Sequence, residues 1–252
     1  MKQRHLLEGH PKALVVLDYG LFKVRADGRQ IGICGFLVQT DADENVLIDT
    51  GFPAKYVADI SGASAEDNLG AFGEVLNLTK ENLPQAQLDK MDVSPDDITL
   101  NILSHSHIDH VGGLHDFPAA PFVMARAERQ LPKPLYWGGI HPLEWPDTTY
   151  NLIDEDTEIG PGFEILLCPG HAPGQLAFRL NLPNIGAVIL TSDAISRPAE
   201  IAERFSGSWD ADLALRHAER LMQLAHDSDA FVIYGHCPDQ WPTLRKAPMA
   251  YS

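Results

Sequence analysis

The stretch His105-Ser106-His107-Ile108-Asp109-His110, followed by Val111-Gly112-Gly113, decides how the rest of the chain is read. It puts four side chains of metal-ligating type within six residues. Neutral imidazole nitrogens and a carboxylate oxygen are the usual ligands of Zn²⁺ and related cations. A folded chain has no low-cost structural use for so many neighbouring imidazoles, so a plain surface loop explains the cluster poorly. Just before it, Ile98–Leu103 reads as a short buried strand, separated from what precedes by the breaker Ser94-Pro95-Asp96-Asp97.

Three further candidates stand in the same relation to a strand. His171 follows the run Glu164–Leu167 inside Pro169-Gly170-His171-Ala172-Pro173-Gly174, Asp193 follows Ala187–Leu190 through Thr191-Ser192, and His236 follows Ala230–Tyr234 as Gly235-His236. If these strands run the same way, their ends reach one edge of the molecule, and rigid strand ends can hold a metal site without strain. Singly, His171 and His236 would read as loop histidines and Asp193 as a turn residue. Only as an ordered set do they read as ligands.

Further out, Ala13–Leu17, Ile33–Gln39 and Val46–Ile48 read as strands, with Asp41–Asn45 as a hairpin loop. Residues 51–79 lack periodicity and read as a long irregular excursion of the kind that lines a site. Pro84–Met91 reads as a short helix, residues 122–124 as a strand, and a helix is expected from near Ala125. Pro132–Asp147, rich in Pro and Gly, reads as loop. Gln175–Leu180 is a strand. The clearest helix runs from the N-cap Asp210 to His226, with Leu213, Ala214, Ala218, Leu221, Leu224 and Ala225 at 3/4 spacing. Two facing sheets with helices outside would satisfy this burial pattern, and nothing marks a linker, so residues 1–252 read as one domain.

Composition narrows the function. With 44% hydrophobic and 21% charged residues, the 252-residue chain is of ordinary globular character. Nineteen basic against thirty-five acidic residues give a net charge of −16, which repels phosphate backbones and disfavours nucleic acid as a partner. The apolar run Ala13–Leu17 is too short for a signal-peptide core or a membrane span. Three widely spaced cysteines, Cys34, Cys168 and Cys237, imply no disulfide framework, so the default location is the cytoplasm.

With this set of residues in this order, the sequence resembles the metallo-β-lactamase superfamily, and within it most closely the N-acyl-homoserine lactonases. The H-x-H-x-D-H core, the later Pro-Gly-His, the strand-terminal Asp193 and the C-terminal Gly-His carry the likeness over nearly the whole chain. Asn45-Val46-Leu47-Ile48-Asp49-Thr50-Gly51 resembles the family's early strand and turn, whose Asp supports the ligand loop. The resemblance implies an αββα four-layer sandwich with two facing mixed sheets. It implies two Zn²⁺ per chain: His105, His107 and His171 on one, Asp109, His110 and His236 on the other, and Asp193 bridging. A hydroxide shared by the metals would attack a lactone carbonyl, with Asp109 passing a proton to the leaving alkoxide. The substrate expected is a small lactone or ester, and a homodimer is compatible with the chain.

One position departs from the family. Those lactonases usually carry a tyrosine three residues after the bridging Asp, where Ser196 stands here. Ile108 and Ser196 are therefore expected at the substrate, with Tyr136 or Tyr150 as the donor that replaces the missing phenol. Cys237 also stands where an Asp is common. Trp137, Trp145 and Trp241 offer themselves as an aromatic wall or as ordinary packing. His5, His10, His115, His141, His217 and His226 read as surface histidines. Competing activities on the same metals are a glyoxalase II type thioesterase, with Arg245 and Lys246 as the available cations, and a phosphotriesterase. A structural zinc protein is a further alternative, but structural sites are usually closed by four ligands, often Cys.

Overall fold

The computed structural model describes residues 5–252; Met1–Arg4 lie outside the described residues. Apolar runs with turn residues between them form strands, as expected. β1 (Pro11–Val24), β2 (Gln30–Thr40) and β3 (Asn45–Ile48) form an antiparallel meander. In the excursion lie α1 (Lys55–Ala58), α2 (Ile60–Glu66) and β4 (Gly73–Asn77); then follow α3 (Pro84–Asp89), β5 (Leu100–Ile102), β6 (Phe122–Ala125), α4 (Arg126–Arg129) and β7 (Tyr150–Ile153). The first sheet has the order β4-β1-β2-β3-β5-β6-β7, parallel from β3 to β7.

The second half gives β8 (Thr157–Gly160), β9 (Phe163–Leu167), β10 (Leu176–Leu182), β11 (Gly186–Leu190), α5 (Ala199–Glu203), α6 (Ala211–Asp227) and β12 (Phe231–Ile233). Its sheet runs β12-β11-β10-β9-β8, antiparallel except for the β11–β12 pair.

Burial on both faces of the strands makes this a four-layer αββα sandwich. Along β1, Leu14 and Val16 pack into the layer between the sheets, against residues such as Phe178, Val188 and Ile233. Val15 and Leu17, one residue out of step, point the other way toward Tyr56, Ala63 and Leu88. That alternation is the two-residue period of a strand buried on both sides. On the far side, Ala214, Ala218 and Leu221 of α6 cover Leu166, Cys168 and Ala177.

Several boundaries differ from the sequence reading. β1 extends well beyond Ala13–Leu17, and its later half pairs with β4 inside a segment read as irregular. The elements in residues 51–79 are three to seven residues long, too short for a periodic signal. β7 and β8 were not expected at all. The strand expected over Ile98–Leu103 shrinks to Leu100–Ile102, and the helix near Ala125 is a single turn.

Candidate metal centre

Antiparallel pairing of β9 with β10 and of β10 with β11, then parallel pairing of β11 with β12, makes β9, β11 and β12 run in one direction. Their C-terminal ends deliver His171, Asp193 and His236 to the same edge. β5, in the facing sheet, delivers the loop Ser104–His110. Gly170 allows the His171 loop to lie against the start of α6: a Cβ there would fall 2.4 Å from the Ala214 Cα. The backbone N–H of Asp210 donates to the Gly170 carbonyl at 2.8 Å, tying helix and loop together.

The seven predicted ligands meet. His105, His107 and His171 offer nitrogens within 4.8 Å of one another, and so do Asp109, His110 and His236 through their own donor atoms. His107 Nδ1 and His171 Nε2 lie 3.0 Å apart. Asp193 stands between the two triads, its Oδ2 3.4 Å from His171 Nε2 and its Oδ1 3.1 Å from His236 Nε2 and 3.7 Å from His110 Nε2. Asp109 Oδ2 lies 3.5 Å from His236 Nε2 and 3.7 Å from His110 Nε2.

Outer hydrogen bonds aim these rings inward. The Nδ1 of His110 faces Asp49 Oδ2 at 2.8 Å, that of His236 faces the Gly32 carbonyl at 2.9 Å, and that of His105 faces Ser104 Oγ at 3.2 Å. Asp49 also accepts from the Ser104 N–H at 2.8 Å and its hydroxyl at 2.6 Å, so one buried carboxylate braces the loop and the ring it carries. Glu128, which the sequence reading did not single out, is 1% exposed and does the same for two loops at once. It accepts from the N–H and hydroxyl of Ser106 and from the Gly174 N–H at 3.1 Å. Its only sequence signal is a glutamate on a one-turn helix, which by itself says nothing of burial.

Electrostatics sort the ligands. Burial and neighbouring imidazoles hold His105 and His107 well below the usual histidine range, and burial lowers His171. Burial also pulls on His110, but the carboxylates of Asp109, Asp49 and Asp193 outweigh it and push it up to about 10. Against the same burial, Asp193 raises His236 to about 9. Burial would raise Asp193, yet His236, His110 and His171 hold it well below the usual carboxylate range. A bound cation displaces such protons and takes their place beside the carboxylates.

Whether a metal pair suits these residues can be judged from the polar atoms left without partners. His105 Nε2, His110 Nε2, His236 Nε2 and Asp193 Oδ1 are all buried with no hydrogen-bond partner. Each such orphan costs about 1–3 kcal/mol, and converging imidazole nitrogens around a carboxylate are the donors that divalent zinc takes. The residues fit two ions sharing Asp193.

Beside the ligands lies a cavity of about 460 Å³. His107, Asp109, His171, Asp193 and His236 floor it, Ile108 and Ser196 line it, and Phe22, Leu69, Phe72 and Trp137 form an apolar wall. Arg25, Arg29, Arg197 and Glu200 also line it, and none of them was singled out from sequence. The two tyrosines expected at the substrate do not face this cavity. The Tyr136 hydroxyl donates to Asp67 at 2.7 Å, and the Tyr150 hydroxyl donates to the Pro146 carbonyl at 2.7 Å beneath Arg129. Among the described residues, no tyrosine lines it.

Other candidates fall where bland readings put them. Trp145 donates to the Leu131 carbonyl and Trp241 packs over Gly32, so only Trp137 of the three reaches the cavity. His115 is exposed, with Nε2 at the Glu144 carbonyl, and the cysteines are buried and unpaired. No helix is long and apolar enough to cross a membrane among the described residues.

Comparison with known proteins agrees with this architecture. Residues 34–236 match the family model of the metallo-beta-lactamase superfamily. The N-acyl homoserine lactonase AiiA of Bacillus thuringiensis subsp. kurstaki is 29% identical over 228 residues, which is 84% of each chain. A solved structure of B. thuringiensis AiiA with N-decanoyl-L-homoserine at its active site superposes with a TM-score of 0.82 at 24% identity, covering 96% of this chain and 100% of that one. AidC, a dizinc quorum-quenching lactonase, superposes with a TM-score of 0.65 at 19% identity over 96% of both chains. With four-fifths of its length matched to the family model, and with that family's two-sheet sandwich around the ligands, the chain belongs to the metallo-beta-lactamase superfamily.

Proposed function

We propose that this metal-dependent hydrolase opens a lactone ring, with N-acyl homoserine lactones as its substrate class and a role in quorum quenching. Two Zn²⁺ ions would be held by His105, His107 and His171 on one side and Asp109, His110 and His236 on the other, with Asp193 shared. The observation that carries this reading is the place of Asp193, one oxygen toward each triad, at the floor of an apolar cavity. The lactonase relatives, alike over most of their length, support the substrate class.

When bound, the metals supply a lowered water pKa and a polarised carbonyl oxygen. The chain does the rest. Asp109, partly exposed at the cavity floor beside His236, takes the proton that the attacking water loses and returns it to the leaving alkoxide oxygen. Ile108 and Ser196 bound the space for the ring. The wall of Phe22, Leu69, Phe72 and Trp137 receives an acyl chain and excludes water around the reacting carbonyl.

Ser196, in place of a phenol, favours a second reading: hydrolysis of another small lactone or neutral ester that needs no such donor. A glutathione thioesterase is poorly served. Lys246 is occupied by the Trp241 carbonyl and Arg245 lies over the Tyr251 ring, and neither lines the cavity. Rates for N-acyl homoserine lactones of graded chain length, measured beside unsubstituted lactones, a glutathione thioester and a phosphotriester, test the assignment. The acyl homoserine lactones should give the highest kcat/KM, with ring-opened N-acyl homoserine as product. A higher value for the thioester or the triester would replace this reading.

A further inference from the structure

Asp67 is a carboxylate with no exposed surface, far in sequence from any ligand. Three donors converge on it: the Tyr136 hydroxyl at 2.7 Å, the Tyr56 hydroxyl at 2.9 Å and Lys55 Nζ at 2.7 Å. Burying a carboxylate is costly unless it is paired and hydrogen-bonded, and here both conditions are met. Burial, then the bond to Asp67, keeps both phenols protonated as donors by holding them well above the usual tyrosine range.

What Asp67 joins gives the cluster its meaning. On its own segment, Asn68 in the left-handed region (φ 53°) turns the chain so that Leu69, Ala71 and Phe72 line the cavity. On the other segment, Tyr136 has φ 56°, a conformation a bulky residue adopts only when its surroundings impose it. Its neighbour Trp137 also lines the cavity and packs edge-on against Phe72. The Tyr136 backbone meanwhile clamps the metal loop on both sides of His107: its N–H donates to the Ser106 carbonyl, and its carbonyl accepts from the Ile108 N–H, both at 2.7 Å. The Asp67–Tyr136 bond thus connects both pieces of the apolar wall to the backbone that carries a metal ligand.

We infer that Asp67 and Tyr136 are positioning residues that set the distance between the apolar wall and the metal centre, and so decide how tightly a long apolar acyl chain is held. Neither touches substrate. The inference rests on the lactonase reading for its substrates but not for its test of binding. With the strut intact, the wall stands where a chain attached to a ring at the metals can lie along it. With the strut cut, Leu69 and Phe72 separate from Trp137, and contact is lost for long chains alone.

The test compares the zinc-loaded protein with its Tyr136→Phe variant, which keeps the ring and loses one donor. Turnover of N-butanoyl- and N-decanoyl-homoserine lactone is measured, together with calorimetric titration by ring-opened N-decanoyl-homoserine. The strut predicts a KM for the decanoyl substrate raised about tenfold, the scale of one hydrogen bond to a charged group. The titration should weaken by a similar factor. The butanoyl KM, kcat for both and the metal content should stay within about twofold, since the scaffold is otherwise unchanged. Asp67→Asn, which keeps shape while removing the charge, should move in the same direction. Equal losses for both chain lengths, a fall in metal content, or unchanged decanoyl binding would each overturn the inference. If the native enzyme opened neither lactone yet bound ring-opened N-decanoyl-homoserine, the lactonase reading would fail and the titration would decide the strut; no binding by the native protein would overturn both.

Discussion

Asp193 and Asp49 are both buried carboxylates beside histidines, yet they do different work. Asp193 reaches both triads, so Asp193→Ala should release metal as well as abolish turnover, with zinc by elemental analysis falling from about two equivalents to one or fewer. Full metal content with normal turnover would contradict the bridging role. Asp49 reaches no candidate metal position and instead orients His110 from behind at 2.8 Å. Asp49→Ala should weaken metal binding about 10–100-fold in a chelator competition, and unchanged affinity would show that His110 needs no brace. The convergence of the candidate ligands was legible because imidazoles and carboxylates at strand ends have few other uses. The tyrosines were not. A phenol's direction depends on its partner, and Asp67 lies 69 positions from Tyr136.

The long periodic helix α6 was read closely, whereas the short elements α1, α2, β4, β7 and β8 were missed. α6 begins at the residue after its expected cap, and the Asp210 side chain accepts from the Leu213 N–H. Ala214, Ala218, Leu221 and Ala225 are its buried stripe, at the spacing seen in the sequence. In residues 55–77, β4 is held by β1, and Asp67, which ends α2, is held by the distant Tyr136, so local pattern carries little of the signal. Glu128 shows the same limit inside the site. It sits on a single-turn helix whose place is set by two ligand loops, and Glu128→Ala would leave the Ser106 and Gly174 N–H groups unpaired. That change should cost about 3 kcal/mol in denaturant unfolding and lower metal affinity as well. A loss under about 0.5 kcal/mol would mean the loops hold themselves.

At the scale of the molecule, two sheets built from separate halves of the chain deliver the candidate ligands to one edge, so a bound metal would couple to folding. The condition that strands β9, β11 and β12 share a direction could be posed from sequence, but sheet order could not be chosen there, because non-adjacent pairings leave no local trace. Ions that bind only the folded state stabilise it by mass action, by about 2.7 kcal/mol at a hundred times the dissociation constant. Chelation should therefore lower the melting temperature as well as the rate, and an unchanged melting temperature would place the metals outside the fold's energetics. The most direct measurement follows lactone opening while zinc is titrated into metal-free protein. The account predicts negligible turnover without metal and a plateau at about two equivalents per chain. Full turnover in metal-free protein, or a plateau at one equivalent, would contradict it.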